Sequence, residues 1–255
     1  MLLAAVENGD AKELAEPIRQ DPGFNVNMAQ DEEGWTLLHF ACWDSSRSPV
    51  IPLLLAHPDI DPNVKNIYGS TPFYCACGKG ITSCVREMLK DSRVKVSERD
   101  NDGHTPLCAA AYSGSLDTIK WWVAPGREMD LGKPGNDGTD AIGAAMKNGK
   151  TEVVSLLQRF KDNPVVTRHA IRVELGLLDD LAAEMFALVV FVSDGFLQIK
   201  DTVTTTPAAR FFSIVRKLPL ELQMVLCFRQ VGSGKEIIRG KQSEVAFKEL
   251  ARKLW

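Results

Sequence analysis

Gly69-Ser70-Thr71-Pro72-Phe73-Tyr74-Cys75-Ala76 and Gly103-His104-Thr105-Pro106-Leu107-Cys108-Ala109-Ala110 are two copies of one helix start. In both, a Gly lies two residues before the Thr, an Ala five residues after it and another Gly nine residues after it, at Gly80 and Gly114. Thr is a favoured N-cap and Pro at the first helical position needs no donor. The small Ala admits a neighbouring helix, and the trailing Gly permits a left-handed turn into a second, antiparallel helix. The frame extends both ways. Gly34, Gly69, Gly103 and Gly138 are spaced by 35, 34 and 35 residues, and Ser45, Gly80, Gly114 and Gly149 repeat the same spacings. A fixed period of this length predicts stacked structural repeats.

Apolar residues recur at helical spacing after each trailing landmark: Val50, Leu53, Leu54 and Leu55, then Val85, Met88 and Leu89, then Ile119, Trp122 and Val123, then Val153, Val154, Leu156 and Leu157. No single unit can bury that face, so the stack itself is the core.

The pattern resembles the ankyrin repeat, whose signature is a Thr-Pro-Leu-His helix start in a period of about 33 residues. The residues that carry the resemblance are Gly34-Trp35-Thr36-Leu37-Leu38-His39 with Ala41, Gly69 to Ala76, and Gly103 to Ala110. A fifth copy, Gly138-Thr139-Asp140-Ala141-Ile142, keeps the frame and Ala145 but loses the Thr and Pro. A first copy, Leu2-Leu3-Ala4-Ala5-Val6 with Gly9, lacks a preceding hairpin. Starting inside a first helix, the chain reads as truncated or as carrying a pared-down N-terminal cap.

The resemblance implies an all-α solenoid of five repeats over residues 1–160. Polar stretches such as Asp59 to Val64 and Val94 to Ser97 are expected to form β-hairpin fingers. Asn66-Ile67-Tyr68-Gly69, Asp100-Asn101-Asp102-Gly103 and Asn136-Asp137-Gly138 are the expected fingertip turns. It also implies a protein partner on the concave side of the stack. The positions it points to are Trp35, Trp43 and Asp44, Tyr68, Ser70 and Lys79, His104, Tyr112 and Ser113, and Lys147 and Asn148. Among them the aromatics Trp35, Trp43, Tyr68 and Tyr112 are the natural anchors, since interface energy concentrates on such residues. The competing reading of these rings is packing between adjacent fingers.

Beyond the repeats, residues 161–199 read as a terminal helical pair, Thr167 to Leu175 and Leu177 to Phe196 with a turn at Gly176, closing the last repeat as a cap. Leu178, Leu181, Met185, Leu188, Val189 and Val192 form its apolar stripe. Residues 200–210, polar and β-branched up to Pro207, are the expected linker. In residues 211–255, Leu218-Pro219-Leu220-Glu221-Leu222 resembles the helix start of an F-box. That resemblance implies docking of a Skp1-like adaptor on Leu218, Pro219, Glu221 and Leu222, and the role of substrate receptor in a ubiquitin ligase. A second reading stays open, that this tail is a further cap. A SOCS box fits less well, because Leu226-Cys227 follows the proline motif instead of preceding it.

The net charge of −3 is uneven: residues 200–255 carry +6 and the remainder −9. The basic tail supports a third, lowest-ranked reading, binding to nucleic acid or an acidic partner. With 45% hydrophobic and 25% charged residues, wholesale disorder is excluded. Ala187 to Val192 is too short to span a bilayer, and the opening residues have no basic n-region. A cytoplasmic or nuclear protein is expected, not secreted and without membrane contact. Its six cysteines fit that expectation as reduced thiols, Cys42 and Cys77 in the small buried slot of the repeat and Cys108 in its histidine position.

Nothing points to catalysis, a metal or a small-molecule substrate. Cys75-x-Cys77 has no second ligand pair, and residues two apart face different sides of a helix. Gly232-Ser233-Gly234-Lys235 lacks the phosphate loop's upstream Gly and places Glu236 where a hydroxyl belongs. The four histidines are scattered, with no nucleophile beside them. No cofactor is expected.

Overall fold

Each N-cap predicted from the repeat opens a helix, and the caps are made by different side-chain atoms. The Thr71 hydroxyl accepts the backbone N–H of Tyr74 at 3.1 Å and the Thr105 hydroxyl that of Cys108 at 3.3 Å. In the fifth copy Asp140 stands at the Thr position, and its carboxylate accepts the Gly143 N–H at 2.7 Å. That copy had therefore not lost its cap; Asp does the work of Thr there. The computed structural model describes residues 2–20, 24–127, 129, 131, 134–194, 207–215, 217–218, 220–231 and 245–250.

In chain order the helices are α1 (Leu2–Glu7), α2 (Ala11–Gln20), α3 (Leu37–Ala41), a 3-10 helix (Ser45–Val50), α4 (Ile51–Leu55), α5 (Pro72–Lys79), α6 (Thr82–Leu89), α7 (Pro106–Ser113), α8 (Leu116–Val123), α9 (Ala141–Lys147), α10 (Thr151–Asp162), α11 (Pro164–Glu174), α12 (Leu178–Ser193), α13 (Pro207–Val215) and α14 (Leu220–Gln230), with a further helical run over 245–250. The chain forms two compact units, Met1–Arg168 and His169–Trp255, divided inside α11.

In the first unit the helices pair as expected: α1 with α2, α5 with α6, α7 with α8 and α9 with α10. First helices stack on first helices, α1 on α3, α3 on α5, α5 on α7 and α7 on α9; second helices stack likewise, α4 on α6 and α6 on α8. The core follows the predicted faces, except that Leu53 and Val154 are only half-buried. Leu54, Val85, Met88, Ile119, Trp122, Val123, Leu156 and Leu157 are buried, and so are Ala41, Ala76, Ala110 and Ala145 between the first helices. The second copy departs from the frame at Ser45. Gly80 and Gly114 take the left-handed conformation that ends α5 and α7, whereas no non-Gly residue among the described ones has positive φ. With Ser45 in that place, α3 ends early and the Asp44 carboxylate caps a 3-10 helix instead.

The expected β-hairpin fingers do not form. Among the described residues there is no strand, only an isolated antiparallel bridge between Ala29 and Thr36. Across each loop runs a backbone bond, Asn66 N–H to the Ser70 carbonyl, Asp100 N–H to that of His104, Gly135 N–H to that of Thr139, and Gly69, Gly103 and Gly138 N–H bond back to the Asn66, Asp100 and Gly135 carbonyls. The next donors turn outward: Ile67, Asn101 and Asn136 N–H reach the Glu33, Tyr68 and Asp102 carbonyls of the preceding loop. Each loop is thereby bonded to the loop before it. Gly69 shows the closeness required, because a Cβ there would lie 2.4 Å from the Asn101 side-chain oxygen.

A second periodic device was not anticipated. Arg93, Arg127 and Arg168 donate to the carbonyls of Leu55, Leu89 and Val123, the last residues of α4, α6 and α8. Arg127 also reaches Asp91 and Val94 carbonyls at 2.8 and 2.6 Å. A cation at a helix C-terminus satisfies orphan carbonyls and opposes the macrodipole. Arg127→Ala is expected to cost about 2 kcal/mol of unfolding free energy in urea, and Arg127→Lys nearly as much, because one ammonium cannot span three carbonyls. A Lys variant as stable as wild type would show that charge alone suffices.

In the second unit α12 shares a core with α13, α14 and the 245–250 helix: Ala182, Ala183, Phe186, Ala187 and Val189 meet Val215, Cys227, Phe228 and Ala246. Of the stripe expected on α12 only Val189 is fully buried; the small residues one position round the helix are inside instead. Alanines let helices approach closely, which outweighs the larger stripe. Of the pair read over residues 161–199, α12 is buried within the unit that holds the tail. α13 begins at Pro207, inside the stretch read as a linker; 195–206 lie outside the described residues. No helix among the described residues is long and apolar enough to cross a membrane.

Candidate functional site

The loop before α3 places Trp35 beside the start of that helix, and Trp43 follows its end. Their rings meet edge to face, 4.7 Å between centroids, with Phe40 5.7 Å from Trp35. From the next repeat, Lys79 in the last turn of α5 lays its ammonium 3.8 Å over the Trp43 ring. Glu33 accepts the Trp35 indole N–H at 3.1 Å and hydrogen-bonds Tyr68, which holds the phenol above its ordinary pKa. Trp43 remains 40% exposed and Tyr68 50%. Four expected residues, Trp35, Trp43, Tyr68 and Lys79, thus form one patch spanning two repeats. Glu33 was missed, because a run of acids before a turn reads as solvated; its signal was the Trp two residues later.

The patch rests on a rigid base. His39, in the third position of α3, is buried; its Nδ1 accepts the Thr36 N–H at 3.2 Å and its Nε2 lies 3.0 Å from the Ser70 carbonyl. An amide N–H only donates and a carbonyl only accepts, so the ring is neutral with its proton on Nε2. Burial pushes its pKa below 6.5, against the opposing effect of the Ser70 bond.

Ser70 is not the exposed contact expected. It is 8% exposed, and its backbone is engaged with His39 and Asn66. The position after the leading Gly faces inward here because the His39 ring needs that carbonyl. Asp44 is exposed but caps the 3-10 helix; the Ser46 N–H and hydroxyl at 2.8 and 2.7 Å hold its carboxyl below the usual range.

A second, polar group forms two repeats on. His104 Nε2 is 3.3 Å from Asp137, and Lys147 lies 3.6 Å from the same carboxylate while also bonding the Thr139 hydroxyl. The Thr139 hydroxyl and N–H, with His104, hold Asp137 well below the usual carboxylate range. Tyr112 stands apart, 63% exposed, at the position Trp43 has in its own repeat. Ser113 and Asn148 donate to the Ala110 and Ala144 carbonyls of their own helices, at 3.0 and 2.8 Å.

Asp100, Asp102 and His104 bring ligand atoms within 4.8 Å of one another. Both Asp100 oxygens are occupied, one by the Asp102 and His104 N–H groups and the other by the Tyr74 hydroxyl at 2.6 Å. These are the bonds of the turn itself. Cys42, Cys75, Cys77, Cys84, Cys108 and Cys227 are all buried and free, and burial pushes the Cys75 thiol up to about 12. In the tail, Leu218 is half-buried and Leu222 49% exposed. Pro219 and the Glu221 side chain lie outside the described residues.

Residues 45–132 match the family described as ankyrin repeats in three copies. Residues 45–132 are ankyrin repeats. Such repeats are generally protein–protein interaction modules. Rabankyrin-5 of Homo sapiens is 34% identical over 102 residues, 40% of this chain and 9% of that protein. SMC5-SMC6 complex localization factor protein 1 of Bos taurus is 36% identical over 130 residues, 51% of this chain and 12% of that protein. The 60 kDa lysophospholipase of Mus musculus is 32% identical over 164 residues, 64% of this chain and 28% of that protein. The chain thus spans 9% to 28% of these relatives' lengths. The F-box-like reading of 211–255 draws no support from these comparisons.

Proposed function

We propose that the chain is a binding module without catalysis of its own, and that it captures a partner protein on the first-helix and loop side of its repeats. The observation that carries this reading is the row of large aromatics left in solvent along successive repeats, Trp43 at 40%, Tyr68 at 50% and Tyr112 at 63% exposure. Trp and Tyr supply contact area at low entropic cost and are where binding energy concentrates. The competing reading, packing between neighbouring loops, accounts for Trp35 and partly for Tyr68, but not for Tyr112.

The test is crosslinked capture of partners by the intact chain, followed by binding measurements on a captured protein. Trp43→Ala and Tyr112→Ala should each weaken that binding by roughly thirtyfold while the thermal midpoint stays near wild type. Binding untouched by both substitutions in folded protein would end the proposal. A second reading, adaptor docking by the tail, is favoured by Leu220 and Leu222, 53% and 49% exposed in the first turn of α14. It requires a Skp1-like protein among the captured partners, lost on deleting residues 211–255.

A further inference from the structure

The Trp43 ring already carries a cation of this chain's own, and that ligand tells what the patch is built to hold. Lys79 has no carboxylate within the salt bridges of the described residues, and its ammonium sits 3.8 Å from the ring centroid. Trp35 stands at 85° to Trp43, so two walls of one corner are aromatic. Three acidic residues flank these rings in the chain. Asp31 accepts the Trp35 N–H at 2.9 Å, Glu33 accepts the indole N–H, and Asp44 follows Trp43 directly. Each is engaged in a hydrogen bond. An aromatic face attracts cations through its quadrupole, and neighbouring carboxylates add to the attraction.

We infer that this corner receives a Lys or Arg side chain from a partner polypeptide, with Lys79 as an internal occupant that the incoming cation displaces. The inference rests on the proposed binding role and names the partner's chemistry. Lys79 is exposed, comes from the neighbouring repeat, and can swing to solvent without disturbing packing. The flanking acids distinguish this from a simple hydrophobic anchor, because an apolar or acidic segment would leave them unmatched. Displacement has a definite consequence: removing the occupant must strengthen binding, the reverse of what losing a contact residue does.

The experiment uses the full chain and two synthetic nonapeptides of Gly and Ser carrying three Lys or three Glu. The readout is the indole N–H resonances of Trp35 and Trp43, assigned through Trp35→Phe and Trp43→Phe. The Lys peptide should shift the Trp35 resonance and that of Trp43, with binding that weakens as salt rises; the Glu peptide should shift neither. Lys79→Met should tighten the Lys peptide about three- to fivefold, the advantage of a ring freed of its own cation. Trp43→Ala should abolish the response, and Trp43→Phe should retain part of it, which separates loss of the ring from loss of folding. Unchanged or weaker binding by Lys79→Met, or equal response to both peptides, overturns the inference. If protein capture depends on Trp43 while the Lys peptide leaves the resonances still, the inference fails and the binding role stands. If capture itself ignores Trp43 and Tyr112, the binding role is what fails.

Discussion

Trp122→Ala is expected to cost about 4 kcal/mol of unfolding free energy, enough to unfold much of the repeat stack at ambient temperature. Trp122 is 1% exposed on α8, and its ring meets Phe73 of α5 edge to face, 5.0 Å between centroids. The substitution therefore opens a cavity that spans two repeats. In a stack, each repeat is stabilised largely by its neighbour, so one lost interface weakens both. Trp122→Phe supplies the contrast. The indole N–H is buried without a hydrogen-bond partner among the described residues, a penalty of about 1–3 kcal/mol that Phe does not carry. Its smaller volume offsets part of that gain, so Trp122→Phe should lie within about 1 kcal/mol of wild type. Urea unfolding followed by circular dichroism reads both variants. A Phe variant as unstable as the Ala variant would mean that the indole N–H is paired in solution.

The second large effect falls on His39 and depends on pH. At pH 7.5, His39→Ala should cost about 3 kcal/mol, because the Thr36 N–H and the Ser70 carbonyl both lose a buried partner and a cavity is added. The sign of the pH dependence follows from burial. The folded pKa lies below the unfolded value of 6.5, so the folded state binds fewer protons than the unfolded one in the interval between them. The stability His39 contributes is complete above about pH 6.5 and is lost as pH falls from there through the folded pKa. The wild-type advantage over His39→Ala should accordingly shrink between pH 7.5 and pH 5. His57, His104 and His169 are present in both proteins and cancel in the difference. A gap between the two unfolding curves that stays constant over this range would show that the ring is not held neutral.

His39 also illustrates how far a repeat can be read before its fold is seen. Its position relative to Thr36 marks it as structural, and the ring's bond to the next repeat follows from the period. The row of exposed positions was legible in the same way: Trp43 and Tyr112 sit seven residues after their caps and both face solvent. Ser70 was misplaced because the position after the leading Gly was treated as uniform. Trp35, His104 and Thr139 occupy it elsewhere, and the exposure of each depends on what the preceding repeat demands of it.

The arginine caps were invisible for a different reason. Arg93, Arg127 and Arg168 bond backbone carbonyls, and a carbonyl has no residue identity for a sequence to display. The same holds for the loops, whose outward N–H groups bond backbone carbonyls of the neighbouring loop.

The sequence by itself determined the period, the helix caps, the left-handed glycines and the buried face, since each depends on residues within about ten positions of one another. Only the tertiary structure decided that Lys79 lies on Trp43, that Glu33 joins Trp35 to Tyr68, and that α12 is buried with the tail. Those contacts join segments from a separate repeat or loop, and their energies depend on distance and orientation that only packing sets.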